Sequence, residues 1–308
     1  MRRIVLSGVP HRADGRLRPF GRCVQLLLLG LLLAACTPME LAPITPAPTG
    51  HKQPGQVIWH DLVTDDVESA KQFYGQLFGW RFEEHGRYTL ILNDGIPIAG
   101  IVPDKKGAAG YERSCWVVCL SEANVDDVAG LVERIGGQVI KGPGEIANRG
   151  RYLVVRDPLG APLVLMHSAT GDPMPSDPPI GGWLWDELWT SDIEAAVSFY
   201  QSLGDYAAQQ VNPDEDEIGY WVLMTDDRWQ AGITAVPFEG MPSQWVPVIR
   251  VADPAAVTAA AAELGGRVVI TPDHPLSGGS VSLIEDPLGG LVMVQSWQPE
   301  ESSDKEQR

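Results

Sequence analysis

Two short stretches place an acid two residues after a tryptophan. The first reads Trp59-His60-Asp61 and the second Trp185-Asp186-Glu187. Both lie in apolar runs that read as strands, where side chains alternate between faces. Trp59 and Asp61 therefore share one face, and Trp185 and Glu187 share the corresponding face 126 residues later. An indole beside a carboxylate can stack on a planar or cationic ligand and hold it by charge. A carboxylate desolvated in such a place can also serve as a general base. The competing reading is structural: the indoles fill a core, and each acid meets an arginine or backbone N–H groups. Tyr88 and Tyr220 sit on later strands of the same two regions, and Gln295 follows Met293 by one pleat. Together Trp59, Asp61, Tyr88, Trp185, Glu187, Tyr220 and Gln295 are the candidate ligand-binding residues. Asp61 and Glu187 are the candidate catalytic acids.

The elements that carry these residues form an internal repeat. WHDLVTDDVESAKQFYGQL from Trp59 matches WDELWTSDIEAAVSFYQSL from Trp185. Each is a strand, an Asp suited to cap a helix (Asp66, Asp192), and a helical stripe. The stripes are Val67, Ala70, Phe73, Tyr74, Leu77 and Ile193, Ala196, Phe199, Tyr200, Leu203, at helical spacing. Further on, Trp116 matches Trp245, Asn124 matches Asp253, and Gly136-Gly137 matches Gly265-Gly266. DPLG occurs at Asp157 and again at Asp286, each time before an apolar strand. Each half thus predicts βαβββ twice over, across 56–168 and 181–298, with a Pro/Gly-rich linker at 169–180 and a disordered tail at 299–308.

The order and spacing of these motifs resemble the vicinal oxygen chelate (VOC) superfamily, which includes glyoxalases, extradiol dioxygenases and bleomycin resistance proteins. The resemblance implies an α+β fold of two tandem VOC domains, each a pair of βαβββ modules curled around a cavity. It also implies a place for a divalent metal. The implied ligand positions are Trp59 and Trp185 on the first strands, Val117 and Val246 (or Trp116 and Trp245) on the fifth, and Val164 and Met293 on the last. The fourth-strand positions fall near Ala99-Gly100-Ile101 and Ala231-Gly232-Ile233. None of these side chains is a metal donor of the usual kind, so neither metal nor other cofactor is expected. His60 and His167 lie on the right strands but with the opposite parity, and are expected to pack behind the sheet.

The first residues carry a different message. Six arginines and one aspartate precede the twelve-residue apolar run Val24–Ala35, which is shorter than the roughly twenty residues that span a bilayer. Leu33-Ala34-Ala35-Cys36 then resembles a bacterial lipobox. The expectation is a signal peptide over 1–35, a lipid on Cys36, and a flexible tether over 36–55. Thr37 stands where inner-membrane retention would place Asp, so an outer-membrane lipoprotein facing the periplasm is expected. The whole chain has 23 basic and 40 acidic residues, net −17, and loss of 1–35 leaves 17 − 39 = −22. Such a charge repels phosphate backbones, so nucleic acid is not an expected partner. Cys115 and Cys119, four residues apart on one strand, are roughly 13 Å apart and are expected to be free thiols.

The sequence therefore predicts a lipid-anchored envelope protein that binds a small, partly aromatic molecule in metal-free cavities. The alternative is a glyoxalase-, lyase- or dioxygenase-like enzyme that uses the cavity acids or an unrecognised metal site.

Overall fold

The computed structural model describes residues 41–104, 113–211, 219–226, 228–274 and 280–297. The first repeat runs β1 (Val57–Thr64), α1 (Val67–Phe78), β2 (Arg81–His85), β3 (Tyr88–Asn93), β4 (Ile96–Pro103), β5 (Cys115–Ser121), α2 (Val125–Arg134), β6 (Gln138–Ile146), β7 (Gly150–Arg156) and β8 (Pro162–Ser168). The second runs β9 (Trp183–Thr190), α3 (Ile193–Leu203), β10 (Ala207–Val211), β11 (Tyr220–Thr225), β12 (Arg228–Ala235), β13 (Gln244–Val251), α4 (Pro254–Glu263), β14 (Arg267–Ile270), β15 (Val281–Glu285) and β16 (Leu291–Ser296). This is the predicted βαβββ order, four times. Each repeat forms one eight-stranded sheet, ordered β2-β3-β4-β1-β5-β8-β7-β6 and, identically, β10-β11-β12-β9-β13-β16-β15-β14. The two modules of a repeat meet where β1 and β5, or β9 and β13, pair antiparallel.

The helices start where the sequence places caps. Asp66 accepts from the Ser69 N–H and Asp192 from the Ala195 N–H, each at 3.0 Å. Asn124 and Asp253 cap α2 and α4 in the same way, with Pro254 in the first turn of α4. Such caps satisfy N–H groups that the helix itself leaves open.

The helical faces of the two repeats pack against each other. One core joins Val118, Val128, Leu153 and Leu165 of the first repeat to Phe199, Tyr200 and Trp245 of the second. Another joins Phe73, Tyr74 and Trp116 to Ile249, Ala261, Ile284 and Val294. Here the repeated motifs find their partners, and the partners are crossed. Tyr74 donates to the DPLG carboxylate of Asp286 at 2.8 Å, and Tyr200 donates to that of Asp157 at 3.4 Å. Trp116 donates to the Tyr74 hydroxyl and Trp245 to that of Tyr200. Each DPLG Asp also accepts backbone N–H groups of its own turn: Leu159 and Ala161 for Asp157, Leu288 and Gly290 for Asp286. Burial pushes both carboxyls above the ordinary range, against these hydrogen bonds. The double glycines are crossed too. A Cβ on Gly137 would lie 2.9 Å from the Phe199 ring, and one on Gly266 would lie 2.9 Å from the Phe73 ring. DPLG is written twice because each copy serves the other half.

Between the repeats His60 Nε2 lies 2.8 Å from Asp186 Oδ1, with both residues buried and the imidazole stacked on Trp183. His60 thus packs behind the sheet, as its parity required. His167 does not: it is exposed on β8, with Nδ1 3.2 Å from the Glu122 carbonyl.

The expected flexible tether needs correction over its described part. Leu41 and Ile44 are only 4 % and 3 % exposed and join the cluster that fills the concave face of the first sheet. Farther along, the fully buried Asp172 accepts from the Gln53 N–H, Ser121 and Ser168. Thr49 bonds the Asp172 carbonyl, and Gln53 reaches Thr225 of the second repeat. The physical reason is plain: an apolar concavity offers Leu and Ile about 1.5–3 kcal/mol each on burial. Cys36, the signal segment 1–35 and the tail 299–308 lie outside the described residues. Among the described residues no helix is long and apolar enough to cross a membrane.

Candidate functional site

The concave faces of the two sheets differ. In the second repeat a cavity of about 610 Å³ opens between the modules. Glu187 and Trp189 enter it from β9, Tyr220 from β11, Ile270 from β14, Leu283 from β15 and Met293 from β16. The walls are mostly apolar, with one acid and one phenol on the floor, as small-molecule sites commonly are. Glu187 Oε2 accepts from Trp189 Nε1 at 2.9 Å, and Oε1 accepts from the Tyr220 hydroxyl at 3.3 Å. Burial pushes the Glu187 carboxyl above the ordinary range, and these two donors oppose the shift. The Tyr220 hydroxyl is pushed up by burial and by the Glu187 charge, so it is a donor, not a base.

In the first repeat the same positions form a closed cluster. Tyr88 donates to Asp61 Oδ1 at 2.7 Å, and Trp59 Nε1 lies 2.9 Å from the Tyr88 hydroxyl and 3.2 Å from Asp61 Oδ1. Arg149, from the turn before β7, completes it. Its Nη1 donates to the Tyr88 hydroxyl at 3.2 Å, and its guanidinium lies 4.3 Å from the Trp59 ring centroid. Its Nε donates to the carbonyl of Ala42, in the strap that covers the cleft.

Sequence reasoning thus found both acids and both tyrosines, and the structure brings each acid to its tyrosine. Trp185 does not line the cavity. It lies half-buried behind Tyr220 and donates to its hydroxyl at 3.0 Å. The indole that lines the cavity is Trp189, two residues on with the same parity. The alternation that paired Trp185 with Glu187 reaches Trp189 equally. Gln295 is half-buried near the end of β16 and is not among the residues lining the cavity. Arg149 carried no signal, since it lies in a turn without periodicity.

The donor set does not fit a metal. Among the described residues no three His, Cys, Asp or Glu side chains cluster closely enough to hold one. On the fourth strand of the first module, a Cβ on Gly100 would lie 1.7 Å from the Tyr88 hydroxyl, and one on Gly232 would lie 2.1 Å from that of Tyr220. A phenol occupies, in both repeats, the space that a longer residue would need. Val246 and Met293 face the second cleft, whereas Trp116 and Trp245 point into the cores between the repeats. Cys115 and Cys119 are free. Burial pushes the Cys115 thiol up to about 12 and Cys119 higher than its ordinary value as well, so neither is an activated nucleophile.

Comparison with known proteins agrees with this architecture. CFP32 of Mycobacterium tuberculosis (strain CDC 1551 / Oshkosh), provisionally named a glyoxylase, is 29% identical over 254 residues, covering 79% of this chain and 95% of CFP32. The anthracycline biosynthesis protein DnrV of Streptomyces peucetius is 27% identical over 268 residues, covering 79% of this chain and 94% of DnrV. Among solved structures, 2,2',3-trihydroxybiphenyl 1,2-dioxygenase from Sphingomonas wittichii strain RW1 superposes with a TM-score of 0.56 at 15% identity, covering 80% of this chain and 91% of the dioxygenase. The Mn(II)-bound glyoxalase from Novosphingobium aromaticivorans gives 0.56 at 13% identity, covering 79% and 82%. These two likenesses concern the fold. The family model of the Glyoxalase/Bleomycin resistance protein/Dioxygenase superfamily matches twice, over residues 55–165 and 184–294. The chain belongs to that superfamily, as a tandem two-domain member.

Proposed function

We propose that the protein binds a small, partly aromatic molecule in the cleft of the second repeat, through a hydrogen-bond donor presented to Glu187. The observation that carries this reading is an apolar cavity of about 610 Å³ with one desolvated carboxylate on its floor. A half-buried acid held by two neutral donors favours a ligand amine or phenol over a ligand carboxylate, which it would repel. Trp189 supplies a planar wall. The name of the relative DnrV, an anthracycline biosynthesis protein, supports an aromatic ligand. The charge of the chain argues against nucleic acid as a partner. The Leu33–Cys36 sequence supports a lipid anchor on Cys36, and Thr37 after it supports an outer-membrane, periplasm-facing location.

The test is native mass spectrometry of the purified protein, followed by titration with 1-naphthylmethylamine and 2-naphthoate. The amine is expected to bind one-to-one and to lose its affinity in Glu187→Gln. Equal binding of both probes, unchanged by that substitution, would refute the reading. Metabolic labelling with palmitate, lost in Cys36→Ala, tests the anchor.

A second reading has a specific support. A carboxyl raised by burial beside a tyrosine hydroxyl is suited to take a proton from a bound substrate. Glu187 would then be the base of a lyase- or isomerase-like reaction. In that case Glu187→Gln abolishes turnover while substrate still binds; for a pure binder there is no turnover in the parent and the substitution removes binding.

A further inference from the structure

We propose that the cleft of the first repeat is a second, separate binding site, for a carboxylate on an apolar body, and that residues 41–44 hold it shut as an internal substitute for that ligand. Arg149 decides the matter. It is 1 % exposed and lies against Trp59 and Tyr88 on the concave face. Nη1 is used by the Tyr88 hydroxyl, and Nε by the Ala42 carbonyl at 3.0 Å. Nη2 is buried with no hydrogen-bond partner among the described residues. Nε and Nη2 form one edge of the guanidinium, the edge that takes a carboxylate through two parallel hydrogen bonds. A peptide carbonyl has one oxygen and occupies half of that edge. A carboxylate has two and would occupy all of it, replacing the Ala42 oxygen and reaching Nη2. The apolar body of such a ligand would take the space now held by Leu41 and Ile44.

The closure is built to be separable. The strap is fastened at Thr45, Thr49 and Gln53, through Thr170 and Asp172, and each of these fastenings follows the plug in the chain. Leu41–Ile44 can therefore leave the cleft without releasing the anchor. The Tyr88 hydroxyl stands between Asp61 and Arg149, bonded to both, so the acid does not occupy the free edge. The second repeat has Gly278 where the first has Arg149, so the two clefts favour ligands of opposite character. This site does not rest on the function proposed for the second cleft, and either can fail alone.

The experiment is calorimetric titration of the protein with 2-naphthoate, using 2-naphthylmethanol as the uncharged control. Leu41→Ser/Ile44→Ser opens the cleft without adding a carboxylate of its own; accelerated hydrogen exchange at 41–44 verifies opening, and near-UV circular dichroism verifies the fold. The opened protein is expected to bind 2-naphthoate at least roughly tenfold more tightly than the parent. That gain should vanish when Arg149→Lys is added, which keeps the charge and loses the fork, and the alcohol should show no comparable gain. If the double Ser protein does not fold, Leu41→Ala/Ile44→Ala takes its place with the same criteria. An opened, folded protein with no gain overturns the proposal. So does a gain shared by the alcohol and indifferent to Arg149→Lys, which would mean an apolar hollow and nothing more.

Discussion

The two concave faces share sheet order, helix caps and an acid–tyrosine pair, yet one is filled and the other open. Three differences account for this. The first repeat has Val63 where the second has Trp189, and Arg149 where the second has Gly278. Only the first is covered by a preceding apolar strap. The comparison separates what the scaffold demands from what a ligand site demands. The Tyr–acid contact occurs in both clefts and so does not by itself set them apart. Among the described residues the buried cation occurs only in the first cleft, and the indole sits at different strand positions, Trp59 in the first and Trp189 in the second; these differences are where specificity is written.

The largest effect should come from filling the glycine under Tyr88, and the glycine under Tyr220 is its control. In Gly100→Ala the new methyl displaces Tyr88, which bonds Asp61, Trp59 and Arg149. The expected loss is about 3 kcal/mol in urea unfolding. Gly232→Ala should cost only about 1 kcal/mol, because the half-buried Tyr220 can swing toward the open cavity. Equal losses would erase the distinction between a locked and an open cleft.

Arg149→Met comes next, at about 2 kcal/mol. It removes two hydrogen bonds and the stacking on Trp59, and faster hydrogen exchange should follow at residues 41–45 but not near Trp189. Ile44→Val should cost about 1 kcal/mol, with 1-naphthylmethylamine binding unchanged.

The smallest effect concerns Glu187 and carries a sign. Its carboxyl is raised in the folded state, so the stability linked to its protonated form is present below the ordinary carboxylate range. That stability is lost as pH rises through the raised value. Glu187→Gln has no such loss. The variant should therefore gain on the parent, by under about 1 kcal/mol, as pH rises from about 4 to 8, and thermal melts across that window would show it. A gain on acidification instead would mean that Glu187 has a cationic partner.

Much of this was legible in the residues. Periodicity and cap chemistry placed β1 through β16 in order, and strand alternation set Asp61 and Glu187 inward, because those signals are local. What periodicity cannot say is which copy a motif addresses. Tyr74 lies far in sequence from Asp286 and near its own repeat, and only packing crosses the pair. Residues 41–55 read as a tether because proline is their commonest residue and no apolar periodicity runs through them. Leu41 and Ile44, too few for a pattern, are nonetheless the ones that matter to the cleft. Arg149 was invisible because turns have no period, and an arginine becomes informative only when its burial is known.

The crossed Tyr74–Asp286 and Tyr200–Asp157 bonds have a calorimetric consequence. Neither half holds its own interior, since each hydrophobic cluster on the helical side draws on both. Heating should therefore produce one endotherm for the whole body, not two staggered ones. A lone half, cut at the proline-rich connection and expressed by itself, should recover its missing neighbour only by pairing with a second copy of itself.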